Sequence, residues 1–166
     1  NLEAEGYIYT RIGNPTLAAF EQKLSDLEGG VGAVATASGQ AAIMLAVLNI
    51  CSSGDHLLCS STVYGGTFNL FGVSLRKLGI DVTFFNPNLT ADEITALAND
   101  KTKLIYAESL GNPAMNVLNF KEFSAAAKEL EVPFIVDNTL ATPYLCQAFE
   151  HGANIIVHST TKYIDG

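Results

Sequence analysis

The sequence predicts an α/β domain with a mostly parallel sheet and helices on both faces. Short β-branched or aromatic runs alternate with longer stretches of helical periodicity, the signature of βαβ units. Several runs are apolar throughout, such as Phe134-Ile135-Val136 and Ile155-Ile156-Val157, as expected of strands covered on both faces. Apolar residues make up 48% of the 166 residues, enough for a sizeable core, and charged residues only 16%, so part of the surface is expected to meet another chain or domain.

In chain order, Asn14 and Pro15 open the first helix, since Asn caps well and Pro suits the first turn. Leu17, Phe20, Leu24 and Leu27 follow at helical spacing, and Gly29-Gly30 ends the helix. Val31 to Ala37 is expected to be a buried strand, and Ala41 to Ile50 a buried helix after the Ser38-Gly39-Gln40 turn. Further strands are expected at 56–60, 80–85, 103–108, 133–137 and 154–158, and further helices at 65–78, 91–99, 120–130 and 143–150. No repeat or linker interrupts this order.

Composition excludes several function classes. Nine basic residues against seventeen acidic ones give a net charge of −8, the wrong sign for a nucleic-acid or anionic-membrane partner. The longest apolar run, Ala41 to Leu48, is far short of the roughly 18 residues that span a bilayer. The start, Asn1 to Glu5, is acidic and unlike a secretory signal, so a soluble, cytoplasmic protein is expected. The 3 cysteines (Cys51, Cys59, Cys146) show no metal-ligand or disulfide spacing, and the 3 histidines are dispersed and receive no chemical role. No metal is expected.

In open parallel sheets, ligands sit at the carboxyl ends of the strands. The residues expected there are Ser38-Gly39-Gln40, Ser60-Ser61-Thr62, Glu108-Ser109, Asp137-Asn138-Thr139 and Ser159-Thr160-Thr161-Lys162. Glycine, hydroxyl, carboxylate and amine converge on one rim, suiting a phosphorylated, charged cofactor. Ser38-Gly39-Gln40 reads either as a helix-start anion site or as a plain cap and turn. The stretch from Gly30 to Ala35 fits G-x-G-x-x-A but precedes its strand, so the dinucleotide reading fails. Lys162, shortly beyond a buried strand, reads either as a desolvated amine able to attack carbonyls or as a loop lysine. Ser159 to Lys162 also matches S-x-x-K, but the S-D-N and K-T-G elements of that acyl-transfer family are missing. Asp137 ends an apolar strand, either to pair with a protonated ring nitrogen or to cap a turn. Tyr64 precedes Gly65-Gly66, where its ring could lie on a planar ligand, and Tyr9 and Arg11 precede the first helix in an extended arm.

Together these residues resemble the pyridoxal-phosphate enzymes of cysteine and methionine metabolism, the cystathionine γ-synthase-like family. The resemblance is carried by Tyr9-Thr10-Arg11-Ile12-Gly13-Asn14-Pro15-Thr16, Ser38-Gly39-Gln40-Ala41-Ala42, Tyr64-Gly65-Gly66-Thr67, Glu108-Ser109-Leu110-Gly111-Asn112-Pro113, Val136-Asp137-Asn138-Thr139 and His158-Ser159-Thr160-Thr161-Lys162-Tyr163. It implies the large domain of a fold type I pyridoxal-phosphate transferase. Lys162 would hold the cofactor covalently and shuttle protons, Asp137 would pair with its ring nitrogen, and Tyr64 would stack on its ring. Asn112 would bond its ring oxygen, and Ser38, Gly39, Gln40, Ser159 and Thr161 would surround its phosphate. Tyr9 and Arg11 would reach the phosphate of a neighbouring subunit, in a homodimer at least, with a homotetramer expected.

Within the family, Gln40, the run from Glu108 to Pro113 and the run from Ala141 to Cys146 resemble O-acetylhomoserine sulfhydrylases most, where lyases and synthases more often carry Met at 40 and Pro at 110. That branch implies γ-replacement by a sulfur nucleophile in methionine biosynthesis, with γ- or β-elimination as the alternative. Family members are far longer than 166 residues. The expected organisation is therefore an arm at 1–13 and a truncated large domain at 14–166, without the C-terminal domain.

Overall fold

The computed structural model describes residues 6–164. The acidic start at 1–5 lies outside them. Helix α1 (Pro15–Glu28) forms as its caps dictate: the Asn14 side chain accepts from the Leu17 N–H at 2.8 Å, and Gly29 closes it in the left-handed region at φ 72°. Helix α2 (Gly39–Ile50) starts on a Ser38 cap, whose hydroxyl accepts from Ala41 N–H at 3.1 Å. Then come β1 (His56–Ser60), α3 (Gly65–Asn69, continuing as a π-helical segment over Leu70–Leu75) and β2 (Asp81–Phe85). Helix α4 (Ala91–Thr95) opens on a complete capping box between Thr90 and Glu93, and β3 (Thr102–Glu108), α5 (Phe120–Glu129) and β4 (Phe134–Asp137) follow. The short α6 (Thr142–Leu145), a 3₁₀ turn over Ala148–His151 and β5 (Ile155–Val157) complete the described chain.

The strands form one five-stranded sheet in the order β2-β1-β3-β4-β5. All pairings are parallel, with Glu108 beside Asp137 and Asp137 beside Val157 in the register. Alternating side chains feed two cores. On one face Leu57, Cys59, Leu104, Tyr106, Ile135 and Val157 meet Ile43 and Val47 of α2 and Phe71 and Leu75 beyond α3. On the other, Leu58, Ile105, Ala107, Phe134 and Val136 meet Ile94 of α4 and Phe123 and Ala126 of α5. Burial on both faces explains why the middle residues of β1, β3 and β4 are apolar on both sides of the sheet. The chain leaves β1 towards β2 on one side and returns to β3 on the other, which makes the carboxyl end of β1 a topological switch point.

The α/β fold and the five later strands match expectation to within about a residue at each end. The buried strand expected at Val31 to Ala37 is corrected: the segment is irregular, with Val31 and Val34 almost fully exposed. Among the described residues it has no strand to pair with, and β-propensity without a partner does not make a strand. Helix α2 is buried on one face only, with Leu45 at 56% exposure. The helix expected at 91–99 is cut to α4, and the one at 143–150 splits into α6 and the 3₁₀ turn because Cys146 is extended.

Candidate active site

Because every strand is parallel, the carboxyl ends of β1, β3, β4 and β5 lie on one rim. Asp137, the last residue of β4, is half-buried. Its Oδ1 accepts from the Thr139 N–H at 3.0 Å and the Thr139 hydroxyl at 2.5 Å, and its Oδ2 lies 3.5 Å from the Tyr106 hydroxyl. Thus the turn-capping role and a free oxygen edge coexist in one carboxylate. Burial pushes the Asp137 carboxyl above its ordinary range; the Thr139 hydrogen bonds, the nearby His158 and the Tyr106 hydroxyl pull it back.

Ser159 is joined to this cluster. Its N–H donates to Thr139 Oγ1 at 2.8 Å, and its hydroxyl lies 3.4 Å from Lys162 Nζ. The start of α2 presses on the same residue: a Cβ on Gly39 would sit 2.7 Å from Ser159 Cβ and 3.0 Å from its Cα. Only glycine permits that approach. Ala41 and Ala42 N–H groups donate to Ser38, whereas those of Gly39 and Gln40, at the first helical positions, have no intrahelical acceptor. Gln40 reaches instead to Thr67 Oγ1 with its side-chain amide at 3.1 Å.

Tyr64 is half exposed, and its ring folds over Gly66, where a Cβ would lie 2.5 Å from Tyr64 Cε1. Its N–H donates to Glu108 Oε1 at 2.7 Å. Burial, with Asp137 adding repulsion, pushes the Glu108 carboxyl up to about 8 against the pull of that hydrogen bond.

Ser38, Gly39, Gln40, Tyr64, Asp137, Ser159 and Lys162 are thus linked on one rim by contact or strand register. Thr161 is exposed beside them. Asn112 is half-buried in the bend closed by the Leu110–Val117 bridge. Tyr9 and Arg11 stand apart: both are exposed, in a turn where the guanidinium carbon lies 5.1 Å from the Tyr9 ring centre. Of the two readings of Lys162, its position matches the loop lysine: it is exposed on a turn beyond β5. A dianion suits the free helix-start N–H groups, the hydroxyls and the amine, and a ring N–H suits the Asp137 carboxylate. This donor set fits pyridoxal phosphate.

Sequence reasoning assigned no role to Thr139, Tyr106 or the histidines. His158, however, meets Glu28 through Nε2 to Oε1 at 2.5 Å, with both side chains 4% exposed. Asn138 Nδ2 donates to the same Glu28 oxygen at 3.1 Å and to the Cys146 carbonyl at 2.7 Å. A carboxylate at a helix carboxyl end opposes the helix dipole, so Glu28 before Gly29-Gly30 was a legible sign of a partner elsewhere.

Comparison with known proteins shows which proteins this chain is similar to. The family model described as Cys/Met metabolism PLP-dependent enzyme matches residues 1–166. An O-acetyl-L-homoserine sulfhydrylase of Leptospira meyeri is 47% identical over 165 residues, covering 99% of this chain and 37% of that protein. A homocysteine/cysteine synthase of Kluyveromyces lactis is 46% identical over 166 residues, again covering 99% and 37%. A crystal structure from Campylobacter jejuni, described as an O-acetylhomoserine (thiol)-lyase with N'-pyridoxyl-lysine-5'-monophosphate, superposes with a TM-score of 0.91 at 39% identity, covering 98% of this chain and 40% of that one. The chain therefore spans well under half the length of these relatives.

Glu108 generates a pH prediction. Burial lifts its carboxyl from the ordinary 4.5 of a solvated side chain to about 8 in the folded protein. Between those values the unfolded state releases a proton that the folded state keeps, so stability falls as pH rises and levels off above about 8. Glu108→Gln keeps an acceptor for the Tyr64 N–H and removes the titration. In the cofactor-free, full-length protein its thermal midpoint relative to the parent should climb across that window. A constant offset would mean that Glu108 is ionised throughout.

Proposed function

The chain belongs to the Cys/Met metabolism PLP-dependent enzymes, and from that premise we propose that the protein replaces the acetate of O-acetyl-L-homoserine with a sulfur nucleophile, giving homocysteine and acetate. The observation that carries the reading is the continuous link from Asp137 through Thr139 to Ser159 and Lys162, under the start of α2. The names of the relatives in Leptospira and Kluyveromyces support the substrate and product. The free thiols Cys51, Cys59 and Cys146 suit a reducing cytoplasm, and no helix among the described residues is long and apolar enough to cross a membrane.

Bound pyridoxal phosphate supplies an electron sink for negative charge at the substrate carbons. The protein's part is positioning and proton transfer. The Gly39 and Gln40 N–H groups, capped by Ser38, and the Ser159 and Thr161 hydroxyls would hold the phosphate. The ionised Asp137 would accept from the ring N–H, Tyr64 would cover the ring face, and Asn112 would donate to the ring oxygen. Lys162 Nζ would hold the cofactor between turnovers. Its amine would take the protons from substrate Cα and Cβ and return them once acetate has left Cγ and the sulfur nucleophile has added there.

Two copies are proposed to complete each site. Tyr9 and Arg11 sit on an exposed turn before α1, and a guanidinium can grip a phosphate through paired donors. A homodimer is the least assembly this requires, and a homotetramer is two such pairs.

Borohydride reduction of the full-length protein should fix a pyridoxyl group on the peptide containing Lys162; label on Lys101 or Lys103 would remove Lys162 from its role. Acetate release from O-acetyl-L-homoserine should depend on added sulfide, whereas keto-acid release without sulfide would identify a lyase. Inactive Arg11→Ala and Lys162→Ala proteins should regain activity when refolded together, because one site of the mixed dimer escapes both changes. Mixed dimers that stay inactive would place Arg11 in its own subunit's site.

A further inference from the structure

Asp137 and Ser159 follow different strands, and one side chain joins them. Thr139 Oγ1 lies 2.5 Å from Asp137 Oδ1 and 2.8 Å from Ser159 N, while the Thr139 N–H reaches the same carboxylate oxygen at 3.0 Å. The proton directions are fixed. A backbone N–H can only donate, so Oγ1 accepts from Ser159, and its single proton goes to Asp137. Ionised, Asp137 can only accept it. A proton on Oδ1 would have to displace the Oγ1 hydrogen from their contact, and the Thr139 N–H on the same oxygen can only donate. The two Thr139 donors therefore favour the anion, and the hydroxyl ties it to the turn carrying Ser159, Thr161 and Lys162.

We propose that Thr139 is a positioning residue that locks Asp137 and Ser159 together, so that the ring-nitrogen and phosphate ends of the bound cofactor are held as one unit. This rests on the pyridoxal-phosphate reading given above. The bonds that Thr139 makes are the main influence holding the Asp137 carboxyl down against burial. The other ionisable groups around Asp137 are Tyr106 and Glu108 on β3 and His158 beyond β5. None of these bridges to Ser159. A purely structural threonine in a turn would affect folding alone.

Full-length Thr139→Val, Thr139→Ala and Thr139→Ser proteins test this, stripped of cofactor and titrated with pyridoxal phosphate at several pH values. Val keeps the volume without the hydroxyl, and Ser differs from Ala by the hydroxyl alone. Ala and Val should bind about tenfold more weakly, the scale of one lost hydrogen bond to a charged group. Their affinity should also fail at higher pH on the acid side, because the carboxylate without its donor takes up a proton more readily. Ser should stay within about twofold of the parent. Equal affinities and equal acid limbs for Ala and Ser overturn the proposal, even if Val fails to fold. So does a lowered thermal midpoint in all three variants with unchanged binding. A parent that takes up no pyridoxal phosphate defeats the underlying reading, and this proposal with it. A parent that binds while Ala binds equally well defeats this proposal only.

Discussion

A parallel sheet cannot distribute its strand ends. Every strand of this one runs the same way, so the chemistry that follows β1, β3, β4 and β5 has one edge to occupy. Covering both faces with helices is a condition of that arrangement, and it makes β4 apolar up to its last residue. Asp137 shows the consequence. It sits after three fully buried residues, Phe134, Ile135 and Val136, where a carboxylate is expensive to ionise. The donors around it follow from that position: two from Thr139 and one from Tyr106.

Buried carboxyls elsewhere meet the same difficulty in different ways. Glu28 has the imidazole of His158 and the amide of Asn138. Among the described residues Glu108 has only the Tyr64 N–H, and burial lifts its carboxyl to about 8. Removing one partner of a buried hydrogen bond leaves the other polar group unsatisfied, a penalty of about 1–3 kcal/mol. The Glu28 pair matters more because α1 buries little else: its buried residues are Ser25 and Glu28, while Leu17, Phe20 and Leu27 are each more than a third exposed.

The strands of the sheet were legible because their periodicity and their burial agree; β1 is buried at every position. Val31 to Ala37 is also largely apolar but has no neighbouring strand among the described residues, and composition cannot report a missing partner. The rim was legible as a set of residues after strands, and Ser38, Gly39 and Asp137 fall where their spacing put them. What joins them was not. Thr139 accepts from Ser159 across 20 positions, and Glu28 meets His158 across 130. Contacts that distant depend on sheet order, which no local pattern encodes. Lys162 stayed open between a desolvated and a loop position for a related reason: nearness in sequence to a buried strand says nothing about what covers the turn beyond it.

Period two along a strand then explains how one short stretch serves both structure and site. Ile135 faces the α2 side of the sheet, and Asp137 follows it there, towards Tyr106. Asn138, one residue on, turns to the other side and meets Glu28 and the Cys146 carbonyl. β5 repeats the division: Val157 joins the α2 core, His158 turns to Glu28, and Ser159 returns beneath Gly39. Each strand end therefore pins α1 on one face while presenting a polar group to the rim on the other. A change of register by one residue would exchange these roles at both strands together. The polar clamp on the far face thus fixes the register of the site as well as the place of α1.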